Sequence, residues 1–194
     1  MPKIYTPQEK DQIRKALRRE GARCLRLYGV KRTTVDELVT RAGIPKGTFY
    51  LFYPHKEALF YDLLLDFSNG LEDAYLEKLQ ELDENHIVTS LTDIFLDIAM
   101  EFHKRGLHRF LDGNELELVT RRMGETAQDE LAAKRRAVYR TLFEYFYIDD
   151  EEDIASFTEG FSAIHYIMLY EDKVTDLEKT LRYLIRGLVL QMVE

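Results

Sequence analysis

TTVDELVTRAGIPKGTFYLFYPHKEALF, residues 33–60, is the stretch on which the fold turns. Thr34 stands where a helix starts. Its hydroxyl can accept an orphan backbone N–H, and Glu37 three residues on completes the pattern of a capping box. Val35, Leu38, Val39 and Ala42 follow as an apolar stripe at helical spacing. Gly43 then ends the helix, because glycine takes a positive φ at no steric cost. Ile44 is an apolar plug for the turn, and Pro45 pre-sets φ for the first residue of a new helix. Residues 46–53 form that helix, about two turns long. Pro54 interrupts it, and His55-Lys56-Glu57 opens the next. A helix, a tight turn and a second helix in this order make a helix-turn-helix.

Polar residues at the start of the second helix set it apart. Lys46, Gly47 and Thr48 sit where a buried structural helix rarely carries them. A recognition helix does carry them, since its first residues face base edges and phosphates in the major groove of double-stranded DNA. Gly47 permits close approach of the backbone, and Lys46 brings a mobile cation. Lys56 falls in the first turn of a helix, where the macrodipole disfavours a cation; a phosphate at that helix start would offset the penalty. A plain helical hairpin accounts for Phe49 and Phe52 as core residues and explains the turn, cap and charge placement poorly.

From about residue 8 to residue 60 the chain resembles the DNA-binding domain of the TetR family of bacterial transcriptional regulators. The resemblance is carried by Thr33-Thr34-Val35, Ala42-Gly43, Lys46-Gly47-Thr48-Phe49-Tyr50, and Lys56-Glu57 after Pro54. It implies DNA contacts at Thr34, Lys46, Thr48, Tyr50, His55 and Lys56. Arg32, Thr33, Gly47 and Leu51 beside them complete the expected interface. Two residues depart from the family's pattern. Val39 stands where alanine is usual, which would set the two helices slightly apart. Pro45 replaces a serine that often caps the recognition helix and touches phosphate, which would remove one backbone contact.

Charge supports a DNA reader. The chain of 194 residues has a formal net charge of −8, which on average disfavours nucleic acid. The average hides a split. Residues 1–56 hold 13 Lys and Arg against 5 Asp and Glu, a net of +8, and residues 57–194 hold 14 against 30, a net of −16. A basic reader on an acidic body is drawn to the phosphate backbone in one orientation. No apolar run is long enough to cross a membrane, and no charged-then-apolar leader precedes the first helix, so a cytoplasmic, nucleoid-associated protein is expected. Cys24 falls on the apolar side of the first helix and reads as a small core residue.

The rest of the chain reads as helix after helix. Thr6-Pro7-Gln8-Glu9 is a strong helix start, and Ile13, Leu17, Cys24, Leu25 and Tyr28 face inward up to Gly29. The helix opened at His55 runs to about Leu82, with Leu59, Phe60, Leu63, Leu64, Phe67, Leu71, Tyr75 and Leu79 in register and a possible bend at Ser68-Asn69-Gly70. A further helix carries Ile87 to Phe102, and short helices fill 106–124. Another begins near Thr126, one follows the acidic turn 149–153, and a last one opens with a capping box at Thr175. The fold class is all-α: an N-terminal three-helix helix-turn-helix domain over residues 1–56, then a helical effector-binding and dimerisation domain over residues 57–194.

One helix-turn-helix makes few base contacts, whereas two, about 34–36 Å apart, read a palindrome. The last two helices are apolar on more than one side, so a homodimer seam is expected at Phe157, Gly160, Phe161, Ile164, Leu184 and Leu188. Closing the monomer core is the alternative role for the same helices. An apolar effector pocket is expected from Phe95, Phe102, His103, Phe110, Tyr139, Phe143, His165 and Met168. Core packing explains each of these singly.

No motif for nucleophilic, phosphate-binding or zinc chemistry is present in the sequence. His103 and His108 are five apart, the wrong step for one helix face, and Glu115 and Glu117 read as solvated. The chain is expected to be no enzyme and to need no cofactor or metal. The leading reading is a DNA-binding repressor on a palindromic operator, released by an unknown small, largely apolar effector. A DNA-bound adaptor whose body holds a protein partner is the alternative.

Overall fold

The structure is a computed structural model that describes residues 5–80, 82–111 and 113–193. All regular structure among them is helical: α1 (Pro7–Arg32), α2 (Val35–Ala42), α3 (Lys46–Phe49), α4 (Lys56–Gln80), α5 (Ile87–Lys104), α6 (Gly113–Met123), α7 (Glu125–Tyr145), α8 (Glu151–Tyr166) and α9 (Leu177–Val193). Short 3₁₀ segments lie at Glu84–His86, Leu107–Leu111 and Ile167–Lys173.

The chain divides into two compact units that are discontinuous in sequence. The first runs to Leu65 and takes in Arg105–Ala127; the second joins Asp66–Lys104 to the chain from Gln128 onward. The sequence reading drew a single boundary after residue 56. The first unit reaches further because the opening turns of α4 bury Ala58 and Leu59 in the same core as Leu17, Cys24, Leu38, Val39, Phe49 and Tyr53. Burial also pushes the Cys24 thiol up to about 11, which keeps it protonated and inert.

In the first unit α1 begins with a complete capping box. The Glu9 N–H donates to Thr6 Oγ1 at 3.2 Å and the Thr6 N–H donates to Glu9 Oε2 at 2.8 Å. Gly29 interrupts α1 with φ 74° and ψ 177°, so the last residues before Thr33 form a separate short coil. The N–H groups released by that break are taken by Glu115 on α6, whose Oε2 accepts from Val30 at 2.5 Å and from Lys31 at 3.3 Å. Glu115 is therefore not the solvated residue its sequence neighbourhood suggests.

In the second unit α5, α8 and α9 pack around Leu91, Phe95, Phe161, Met168, Leu181, Ile185 and Val189. Asp150 caps α8, its Oδ1 accepting from Glu152 N at 2.9 Å and Asp153 N at 3.1 Å. At α9 the cap is Asp176, which accepts from Lys179 N at 2.9 Å, one residue beyond the expected Thr175. α4 runs unbroken through Ser68-Asn69-Gly70, so no bend forms there. The side chain of Tyr75, placed on the apolar stripe of α4 in the sequence, lies outside those the structure describes.

Candidate nucleic-acid interface

α2 is fixed at both ends by local chemistry. Thr34 Oγ1 accepts from Glu37 N at 3.2 Å. The Glu37 carboxylate does not return to the cap; it accepts two bonds from Arg41, each 3.1 Å, so the capping box is only half formed. Arg41 also donates to Tyr28 Oη at 3.1 Å and lies 5.8 Å from that ring's centre, tying α2 to α1. Gly43 closes the helix in the left-handed region, at φ 68° and ψ 33°.

The second helix is shorter than the expected 46–53. Pro45 is its N-cap, extended at ψ 148° and without a side-chain capping bond, and α-helical geometry covers only Lys46–Phe49. The coil then tightens, with Leu51 N bonding Thr48 O at 3.1 Å and Phe52 N bonding Phe49 O at 2.9 Å.

This short coil sorts its side chains by direction. Phe49 is fully buried and anchors the coil. Lys46, Gly47, Tyr50 and Leu51 face outward, with Tyr50 50% and Leu51 68% exposed. Leu51 lines a surface recess with Tyr5, Pro7 and Phe52. Tyr50 stands edge-on to Phe49 at 5.4 Å and 88°, which steadies the ring. Lys46 Nζ donates to the exposed carboxylate of Asp36 at 2.9 Å, a pairing that raises the lysine's pKa. Such surface pairs are weak, so a phosphate can replace this one.

Other expected contacts point elsewhere. Thr33 is buried and its hydroxyl donates to Gly29 O at 2.7 Å. Thr48 is only 6% exposed, and its hydroxyl shares a 2.9 Å bond with Tyr5 Oη. Lys56 Nζ donates to three carbonyls at the end of α1: Thr33 O at 2.6 Å, Val30 O at 2.7 Å and Lys31 O at 3.3 Å. Those carbonyls, not a phosphate, offset the cost of a cation at the start of α4. His55 Nδ1 accepts from Ala58 N at 3.2 Å, making the imidazole an N-cap of α4. Arg32 and Thr34 are exposed beside the coil.

A charged triad locks the coil from behind. Arg18 holds Asp62 with two bonds of 2.6 and 2.8 Å, and Tyr53 Oη donates to the same carboxylate at 2.5 Å. Burial pushes the Asp62 pKa up, but the bonds from Arg18 and Tyr53 outweigh it and hold the carboxyl below its ordinary value. The sequence reading missed Tyr5 and Glu115. Tyr5 could have been noticed because it precedes a strong cap, whereas nothing near Glu115 in sequence marks it.

The residues expected to line an effector pocket fall in both units. Phe110 belongs to the first unit, the other seven to the second. Phe95 stacks on Phe161 at 4.5 Å, Tyr139 on Phe143 at 6.0 Å, and His165 stands edge-on to Phe102 at 5.6 Å. Met168 is fully buried. Burial lowers the His165 pKa, and its Nδ1 lies 2.6 Å from Phe161 O, so the ring is a neutral polar group among aromatics. His103 Nε2 lies 2.6 Å from Glu171 Oε2. Of the expected dimer residues, Phe161 and Ile164 are buried within the unit, Phe157 is half-buried beside Phe143, and a Cβ on Gly160 would meet Leu188 at 3.1 Å. Leu184, 40% exposed, faces outward with Tyr183.

A short helix with an exposed polar face, set in a segment of net positive charge, is an arrangement in which a helix can enter a DNA groove. Residues 17–63 match the model for bacterial regulatory proteins of the tetR family. A TetR family transcription regulator from Marinobacter aquaeolei VT8 superposes with a TM-score of 0.66 at 15% identity, over 96% of this chain and 98% of that one. FadR from Bacillus subtilis, solved with stearoyl-CoA, gives 0.63 at 16% identity over 93% and 97%. FadR from Thermus thermophilus, a TetR family repressor solved with lauroyl-CoA, gives 0.55 at 19% identity over 90% and 92%. No curated protein sequence matches the chain. The chain has the fold of the TetR-family transcription regulators, and its residues 17–63 match the model of that family. No helix among the described residues is long and apolar enough to cross a membrane.

Proposed function

We propose that the chain is a transcriptional repressor that binds a palindromic operator as a homodimer and leaves it when a small, largely apolar effector binds the second unit. One observation carries the reading: Lys46, Gly47, Tyr50 and Leu51 are displayed together on a short coil whose back is fixed by Phe49 and the Arg18–Asp62–Tyr53 triad. Arg32, Thr34 and His55 flank it, and its segment carries a net charge of +8. Lys46 and Arg32 supply cations for phosphates, while Tyr50 and Leu51 meet base edges.

Dimer formation is assigned to the outward face of α9. Tyr183, Leu184 and Gly187 lie along it, and Gly187 has open space around it. The aromatic interior of the second unit supports an apolar effector. Two fold neighbours were solved with stearoyl-CoA and lauroyl-CoA, so acyl-CoA comes first in a ligand screen. The acidic balance of residues 57–194 favours the acyl chain over the polyanionic headgroup as the part recognised.

The test is selection of bound fragments from random duplex DNA at physiological salt, followed by titration of the enriched duplex with fatty acids and acyl-CoA. The expected result is an enriched palindrome whose complex dissociates on adding an apolar ligand. Salt-sensitive binding without enrichment sinks the repressor reading. Enrichment with no ligand response from an extended apolar panel sinks the effector half alone.

A further inference from the structure

α3 is four residues long and has no side-chain cap, so it cannot hold its own geometry. Its orientation must come from contacts with the rest of the unit. Phe49 anchors it by burial and the Arg18–Asp62–Tyr53 triad holds the chain just after it, but neither grips the polar side chains at the start of the coil. The Lys46–Asp36 pair is exposed on both sides and yields to solvent or phosphate. The Tyr5–Thr48 bond differs: the Thr48 side chain is buried, the bond is 2.9 Å, and its partner lies 43 residues away in sequence.

Tyr5 is itself fixed. It immediately precedes Thr6, whose capping box and following proline set where α1 begins. We infer that Tyr5 is a positioning residue for DNA recognition, acting through the Thr48 hydroxyl to set the rotation at which α3 presents Tyr50 and Leu51. Thr48 then serves as the point where α3 is held, not as a base reader, and residues before the helix-turn-helix contribute to specificity. The inference rests on the DNA-reader assignment above.

The experiment compares affinity for the selected duplex and for random duplex in four full-length proteins: wild type, Tyr5→Phe, Thr48→Val and the double variant. Tyr5→Phe keeps the ring and removes only the hydroxyl. It is expected to lower the selected-to-random ratio about fivefold and to leave the salt slope on random DNA unchanged. Thr48→Val is expected to match it, and the double variant to be no worse than either single one, since both remove the same bond. Thr48→Ser, which retains a hydroxyl, is expected to keep the wild-type ratio.

An undiminished ratio in Tyr5→Phe overturns the inference, as do losses that multiply in the double variant. A lower salt slope with equal losses on both DNAs also overturns it, by making Tyr5 a phosphate contact. If the wild-type protein itself fails to discriminate, the reader assignment falls and this inference falls with it. Discrimination intact in both wild type and Tyr5→Phe removes this inference alone.

Discussion

At the scale of single residues, Lys56 shows how a side chain's role changes once its neighbours are known. Its ammonium completes three backbone carbonyls at the end of α1 and so joins α4 to the entry of the helix-turn-helix. Lys56→Ala is expected to cost about 1.5–3 kcal/mol of stability, the range for hydrogen bonds to a charged group, seen as a fall in melting temperature. The salt slope of DNA binding is expected to change by much less than the roughly 0.9 units that one phosphate contact contributes. A full unit lost with stability intact would return Lys56 to the phosphate set. Asp62 makes a second residue-scale case. Its folded pKa lies below its ordinary value, so its contribution is present above pH ~4 and is lost as pH falls through the lowered folded value. Asp62→Asn is expected to be less stable at neutral pH and to lose less on acidification below about pH 4 than the wild type does. Parallel melting curves against pH for the two proteins would refute this.

At the scale of elements, the break in α1 matters most. Gly29 is held at φ 74°, and a Cβ there would come within 2.6 Å of Glu115 Oε1. Backbone strain and steric conflict act together, so Gly29→Ala is expected to destabilise by more than about 1–2 kcal/mol. Gly47→Ala is the matched control. Its Cβ would meet nothing within 4 Å, and its urea midpoint is expected to stay in place. Equal midpoints for the two variants would show that the Glu115 junction carries no stability. The same element explains why α1 was legible only in part. The sequence marks its cap and its break, while the carboxylate that receives the freed N–H groups comes from α6.

At the scale of the whole molecule, the charge split and the outward face of α9 bear on assembly. Phe161 and Ile164 are buried inside the second unit, and Gly160 lies against Leu188. Leu184 is left outward, and Leu184→Arg is expected to convert a dimer into a monomer at micromolar concentration without lowering helix content. Unchanged sedimentation would move the seam elsewhere. Loss of the dimer is also expected to weaken operator binding far more than random-duplex binding, since only a palindrome needs two readers in register.

The order of residues alone fixes what is local. Thr6, Thr34, Gly43, Pro54 and Asp150 mark helix starts and stops because capping bonds and φ limits act within three or four residues. The all-α class and the helix-turn-helix follow from those marks and from apolar spacing. Where the polar side chains end emerges only in the folded chain. Lys56 reaches carbonyls as far as 26 residues away, Thr48 a hydroxyl 43 away, and Glu115 an N–H 85 away. Each was read from its own neighbourhood as solvent- or DNA-facing. A buried polar group must find a partner wherever the fold brings one, and sequence distance carries no record of that choice.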